Sequence, residues 1–151
     1  VLYVINNFSI GGAEMGLLHL IDQGFFQDAS LEIIALFKGT NALLERLEDR
    51  GVAARVLVPE EQMQYHKMPK AYQRLRKEIQ NYAPNITFLS LPQANILGRM
   101  AARDVDTKIV TFEHTVRYSK SFYKPLLQMT ARHVDAVLYD AECTRIAAEG
   151  N

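Results

Sequence analysis

Two glycines follow the first apolar run of the chain and are placed to bind a phosphate group. Residues 6–14 (NNFSIGGAE) connect a strand-like run to a stretch of helical character. A glycine pair at the carboxyl end of a parallel strand lets backbone N–H groups approach a phosphate at the positive end of the next helix. Gly11, Gly12 and Glu14 therefore form a candidate phosphate loop. A tight turn that needs glycines with positive φ explains the pair equally well.

The glycine spacing argues against two common nucleotide-binding motifs. A dinucleotide fold needs G-x-G-x-x-G and an acid at the end of the second strand. Gly11, Gly12 and Gly16 do not have that spacing, and the second strand runs into Phe37-Lys38-Gly39 without an acid. The G-K-[ST] sequence of a P-loop is also absent from the 151 residues.

His114 is the second candidate, at the expected end of the fifth strand and directly after Glu113. A histidine beside a cleft can donate a hydrogen bond to a sugar hydroxyl or stabilise developing charge, but it can also simply cap a strand. Glu113 is either a loop anchor or a cleft carboxylate. Asn95 either hydrogen-bonds an acceptor hydroxyl or caps a helix. No nucleophile with an adjacent base is recognisable, and the histidines and single cysteine have no metal-ligand spacing.

Two basic stretches form a third feature. They bind phosphates or an anionic membrane surface, or they form solvated helix faces. The 17 basic and 17 acidic residues of the whole chain cancel, which argues against a nucleic-acid-binding protein. The basic residues are Lys67, Lys70, Arg74, Arg76 and Lys77, then Arg117, Lys120 and Lys124, and the aromatic residues near them are Tyr65, Tyr118, Phe122 and Tyr123.

The elements that must position these residues alternate between strands and helices. With 48% hydrophobic residues, a chain of 151 residues can bury one core without disulfides, in keeping with its single cysteine. Alternating strands and helices predict an α/β domain with a mainly parallel sheet. The predicted strands are 1–6, 31–37, 52–58, 85–90, 107–112 and 135–139, and the predicted helices are 12–24, 41–50, 69–83, 93–104, 121–134 and 141–148.

Four segments carry a family resemblance, namely residues 4–14 with their Gly-Gly-Ala-Glu loop, 84–90 with 93–103, 111–115 and 135–145. They resemble family 4 glycosyltransferases of the GT-B fold. The resemblance spans nearly the whole chain in the right order. Family members often carry Ser where Asp140 stands, and residues 59–68 match no family feature.

The resemblance implies a Rossmann-like, three-layer α/β/α domain, the N-terminal and acceptor-side half of a GT-B enzyme. Residues 1–151 would form this single domain, and a C-terminal donor-binding domain with a Glu-x7-Glu motif would lie outside the chain. The first residue is Val, so we expect an excised piece of a larger protein. Without the second domain, this piece would be inactive alone. The intact enzyme would be a retaining transferase of glycan biosynthesis, moving sugar from a nucleotide sugar to a carbohydrate or lipid-linked acceptor.

The resemblance also implies roles for the candidate residues. Gly11 and Gly12 would face the donor diphosphate, and His114 would contact the donor sugar. No cofactor or metal would be required. No apolar run approaches the length of a membrane span, so we expect a cytoplasmic protein, either free or at the inner face of the membrane. The residues expected on the acceptor side are Asn95, Glu113, Arg117, Tyr118 and Lys120.

Two alternatives remain open. A sugar-nucleotide 2-epimerase shares the two-domain GT-B architecture and would need no acceptor. A stand-alone module that binds a phosphorylated metabolite would bind its ligand tightly with these residues alone. A receiver-type signalling domain fits less well, because Asn6 and Asn7 stand where its paired acids are expected.

Overall fold

The computed structural model describes residues 1–114, 122–140 and 145. Every predicted strand and the first five predicted helices are confirmed, whereas the helix predicted over 141–148 lies outside the described residues except at 145. A 3-10 turn precedes α3 at Tyr65–Lys67, and another follows α5 at Ala131–His133. The strands are β1 (Leu2–Ile5), β2 (Glu32–Lys38), β3 (Ala53–Gln62), β4 (Ile86–Ser90), β5 (Lys108–Glu113) and β6 (Ala136–Tyr139), and the helices are α1 (Gly12–Asp22), α2 (Ala42–Glu48), α3 (Met68–Tyr82), α4 (Pro92–Ala102) and α5 (Tyr123–Thr130).

The strands form one parallel sheet in the order β3-β2-β1-β4-β5-β6. The chain starts in the middle, builds one edge and then returns to build the other, as in doubly wound folds. β3 is longer than predicted, because it continues past Val58 and through Pro59 to Gln62. It is an edge strand, where the missing N–H of proline is tolerated. Its pairing with β2 shifts register between Phe37 and Lys38.

Apolar side chains on both faces of the sheet make the three layers. Along β1, Leu2 and Val4 pack in a core shared with α3 and α4. Tyr3 and Ile5 pack in a second core with α1 and α2. This alternation follows from the period of two along a strand, and it confirms the α/β/α architecture.

Helix α4 lies especially close to the sheet and carries several site residues. A Cβ built on Gly98 would be only 2.2 Å from Cδ2 of Leu89 on β4. Glycine therefore permits the close approach of this helix to its strand. The approach brings the N-terminus of α4 against the ends of β1 and β5.

Candidate functional site

The candidate site lies at the carboxyl-terminal edge of the sheet. β1, β4, β5 and β6 end there at Ile5, Ser90, Glu113 and Tyr139. β1 and β4 are paired neighbours, and the chain leaves them toward opposite edges of the sheet. Open α/β sheets bind ligands at such a switch point.

The loop after β1 leaves Gly12 open, whereas a Cβ on Gly11 would lie 2.9 Å from Oε2 of Glu14. Gly11 precedes α1 with an extended backbone (φ −150), and neither Gly11 nor Gly12 has a positive φ. A Cβ on Gly12 would have no atom within 4 Å. The alternative that this turn needs glycine for a left-handed backbone is therefore wrong. Both glycines are exposed at the start of the helix.

Glu14 folds back onto the N-terminus of α1 and is only 7% exposed. Burial raises the pKa of its carboxyl, and the backbone N–H groups of Glu14 and Gly11, which hydrogen-bond to it, oppose that shift. An acid in the third helical position that bonds back to the cap residue is a capping arrangement. Glu14 thus acts within the helix terminus, and the amides of Gly12 and Ala13 lie in the first turn, where a helix offers no backbone acceptor.

His114 joins the ends of three neighbouring strands. Its Nε2 lies 2.9 Å from Oγ of Ser90, and its Nδ1 lies 3.1 Å from a carboxylate oxygen of Asp140. The ring also packs on Phe112, with 4.0 Å between ring centroids. Burial lowers the pKa of His114, whereas Asp140 and then Glu113 act to raise it.

The Ser90 hydroxyl thus lies beside the His114 imidazole, a contact between distant residues that the sequence does not reveal. Ser90, His114 and Asp140 have the hydroxyl, imidazole and carboxylate order of a nucleophilic triad. However, Ser90 is 0% exposed, so its hydroxyl is not presented to a ligand. The chemistry that this arrangement supports is the orientation of the imidazole.

The turn after β4 is strained at Leu91. Its backbone has φ 76 and ψ 154, a region that residues with a Cβ rarely adopt. The turn places Ser90 toward His114 and, two residues later, starts α4. Backbone strain of this kind is concentrated at functional sites.

Besides the hydrogen-bonded group of Ser90, His114 and Asp140, a second hydrogen-bond network begins at the end of β1. Asn6 accepts a hydrogen bond from the backbone N–H of Ala94 at 3.0 Å and donates one to the side chain of Gln93. Gln93 in turn donates to the hydroxyl of Tyr123 on α5. The Tyr123 hydroxyl lies 3.4 Å from that of Tyr65, which follows β3. These hydrogen bonds connect the loop after β1 to α5 and to the 3-10 turn that contains Tyr65.

Asn95 and Glu113 lie below the surface rather than on an open acceptor side. Asn95 is 1% exposed and Glu113 is 9% exposed. The Asn95 amide donates to Glu113 at 3.4 Å, and the Arg99 guanidinium lies 3.3 Å from the same oxygen. Leu91 precedes α4 as its cap residue, so Asn95 is not the N-cap. The structure favours the anchor interpretation of Glu113, and contact with an acceptor stays a prediction for both residues.

The predicted acceptor residues Arg117, Tyr118 and Lys120 lie outside the described residues. The first basic stretch, by contrast, faces an acid that follows Pro59 on β3. The Glu60 carboxylate pairs with Lys70 at 2.6 Å and with Arg74 at 2.8 Å. These two partners lower the pKa of Glu60 to about 2. A solvated, ion-paired face therefore describes this part of the stretch.

Four residues of the two hydrogen-bond networks were given no functional role in the sequence analysis. Three of them adjoin the carboxyl end of a strand and Gln93 lies in the first turn of the helix after β4, and these places are the signal that could have identified them. Asp140 was noted only as a departure from the family pattern. The four are Asn6, Ser90, Gln93 and Asp140.

The described part of the chain offers neither a cluster of metal ligands nor a membrane-spanning helix. No group of three or more histidine, cysteine, aspartate or glutamate side chains is placed to hold a metal ion there. Over those same residues, no helix combines the length and the apolar character needed to cross a membrane.

Comparisons with known proteins give structural matches only. No protein-family profile and no curated protein matches the sequence. HepE from Anabaena, solved with UDP, matches with a TM-score of 0.74 and 15% identity over 99% of this chain and 40% of its own. The lipopolysaccharide outer core galactosyltransferase WaaB matches with a TM-score of 0.68 and 10% identity over 99% and 42% of the two chains.

A third match carries an epimerase name. A structure from Listeria monocytogenes, named as a UDP-N-acetylglucosamine 2-epimerase, has a TM-score of 0.67 and 10% identity over 99% of this chain and 42% of its own. The chain thus spans about two fifths of the length of these proteins. Its sheet and helices have the Rossmann-like fold of the N-terminal half of a GT-B protein.

Proposed function

We propose that this chain is the acceptor-side half of a glycosyltransferase that uses a nucleotide sugar. The observation that carries the proposal is the match of 99% of the chain to HepE, which was solved with UDP and with UDP-glucose. The family resemblance of the loop after β1 supports the same function. Because the chain spans about 40% of HepE, a second domain would complete the enzyme.

The geometry suggests how this half contributes. The first-turn amides of α1 at Gly12 and Ala13 would meet the donor diphosphate, since a helix N-terminus favours an anion. His114 would contact the donor sugar from the neighbouring strand end. Charge on the departing diphosphate would be stabilised by such amides and by the second domain.

The family resemblance supplies the finer part of the proposal. Transfer would be retaining, with a carbohydrate or lipid-linked acceptor and without a required metal. Contact with the inner face of a membrane would use the two basic stretches, the first of which is partly offset because Glu60 pairs with Lys70 and Arg74. The protein would work in the cytoplasm.

The proposal is tested with the natural full-length protein and a panel of UDP-, GDP- and ADP-sugars. We expect sugar transfer that depends on an added glycan or lipid-linked acceptor, unaffected by a metal chelator, and a product whose anomeric configuration by NMR is that of the donor. His114→Ala should lower turnover at least about tenfold while the protein stays folded. Hydrolysis or transfer at wild-type rates in that variant would remove His114 from the site.

A sugar-nucleotide 2-epimerase is the second candidate, and the Listeria match favours it. An epimerase would convert its substrate without any acceptor. Incubation in D2O separates the two functions, because epimerisation at C2 would exchange the C2 proton for deuterium and transfer would not. Incorporation of deuterium without an acceptor would overturn the transferase proposal.

A further inference from the structure

Building on the proposed function, we propose that Asp140 and Ser90 are positioning residues that fix His114 in one tautomer, with its proton on Nδ1. Three strand ends supply the three groups, so the arrangement is built by the sheet rather than by one loop.

The tautomer follows from the two hydrogen bonds of the ring. A carboxylate can only accept, so the proton of the 3.1 Å contact with Asp140 must come from Nδ1. A neutral imidazole has one N–H, which leaves a lone pair on Nε2. The Ser90 hydroxyl, 2.9 Å away, then donates to that lone pair.

The surroundings of the ring favour its neutral form. Burial is the largest influence and lowers the pKa of His114, against the opposing charges of Asp140 and Glu113. Within the described residues, the other groups in contact with the ring are uncharged. They are Ser90 on β4, Phe112 on β5 and Gly16 on α1, where a Cβ would lie 3.8 Å from Cε1 of the ring.

The fixed tautomer sets which side of the imidazole donates a hydrogen bond and which side accepts one. The Asp140 side chain is 38% exposed, whereas Ser90 is fully buried. The N–H of His114 therefore lies on the side of the partly exposed Asp140, although the His114 side chain is itself only 7% exposed, and its lone pair lies on the buried side. A sugar hydroxyl that approaches from the cleft would meet the Asp140 carboxylate, which accepts the N–H of His114 and has further lone pairs to accept from the hydroxyl.

Nitrogen-15 NMR of the imidazoles in the natural full-length protein tests the tautomer without any substrate. The His114 signals are assigned by their loss in His114→Gln. We expect a neutral ring protonated on Nδ1. In Asp140→Asn the pKa of His114 should fall, because a charge that raises it is gone, and the preference for Nδ1 should weaken, because an amide can either donate or accept. Asp104→Asn, a change at an exposed acid beyond α4, should alter neither property.

Kinetics supply the second readout. His114→Asn places an N–H near the Nδ1 position and His114→Gln near the Nε2 position, so the asparagine variant should retain about tenfold more kcat/KM, the worth of one hydrogen bond. The acidic limb of the pH profile should move to lower pH in Asp140→Asn. A wild-type proton on Nε2, or a His114 pKa that Asp140→Asn leaves unchanged, overturns the inference. Absence of turnover in the wild type would instead refute the proposed function, while the NMR result still decides the tautomer.

Discussion

The buried pair of Arg99 and Glu113 gives the sharpest prediction about what holds the site together. Arg99 is 4% exposed, lies 3.3 Å from the Glu113 carboxylate and donates to the backbone carbonyl of Leu127 at 3.1 Å. Arg99→Met keeps most of the side-chain volume but removes the guanidinium from beside a buried carboxylate. Breaking a buried pair in this way costs about 3–5 kcal/mol. For a domain of this size the melting temperature should fall by roughly 6–20 °C.

Urea unfolding of the chain, followed by circular dichroism, measures the loss. Arg103→Met is the matched control, because Arg103 follows the same helix and pairs with Asp104 at 3.2 Å on the surface. It should cost at most about 1 kcal/mol. The double variant Arg99→Met with Glu113→Gln should be more stable than the sum of the two single losses predicts. An Arg99→Met variant as stable as the control, or additive losses in the double variant, would refute the anchoring role.

Three further predictions follow from single positions. Gly98→Ala should destabilise the chain by about 1 kcal/mol in thermal unfolding, because overpacking against Leu89 costs about 1–3 kcal/mol and the gain in helix propensity is only about 1 kcal/mol. The control Met100→Ala, at an exposed position of the same helix, should change the stability little. Gly12→Val should leave the melting temperature nearly unchanged and weaken binding of the donor nucleotide to the full-length protein about tenfold in calorimetry; wild-type affinity would exclude Gly12 from the phosphate site. Glu60→Gln should strengthen cosedimentation with phosphatidylserine vesicles by about fivefold, since one neutralised basic charge is worth about 1 kcal/mol at such a surface, and equal binding would show that this face does not meet the membrane.

Local patterns were sufficient to predict the order of the elements. Runs rich in β-branched residues mark the strands, and the turn signals around Gly51 and Pro84 separate the helices from them. The extension of β3 was missed because Pro59 ends a strand by local rules, whereas an edge position tolerates it. Pairing with β2, which no local pattern reports, carries the strand onward to Gln62.

The candidate site was predicted less completely because its contacts join distant parts of the chain. His114 and the loop glycines were found by their places at strand ends. The partners of His114 come from 24 and 26 residues away in sequence, and only the order of the strands in the sheet brings them together. The burial of Asn95 could not be predicted for a related reason, since nothing local shows that α4 turns it toward Glu113.

The strained turn at Leu91 explains how residues close in sequence take part in both hydrogen-bond networks. Ser90 ends β4 and bonds His114, while Gln93, three residues later, bonds Asn6 and Tyr123. A left-handed residue between them redirects the backbone so sharply that both side chains lie at the same sheet edge, at a cost of about 1–3 kcal/mol. Because Pro92 then fixes the start of α4, the turn cannot relax without moving Gln93 away from Asn6. One turn therefore fixes the position of the loop of the candidate phosphate site relative to the imidazole of the candidate sugar site. A ligand that spans both sites would require this fixed relative position.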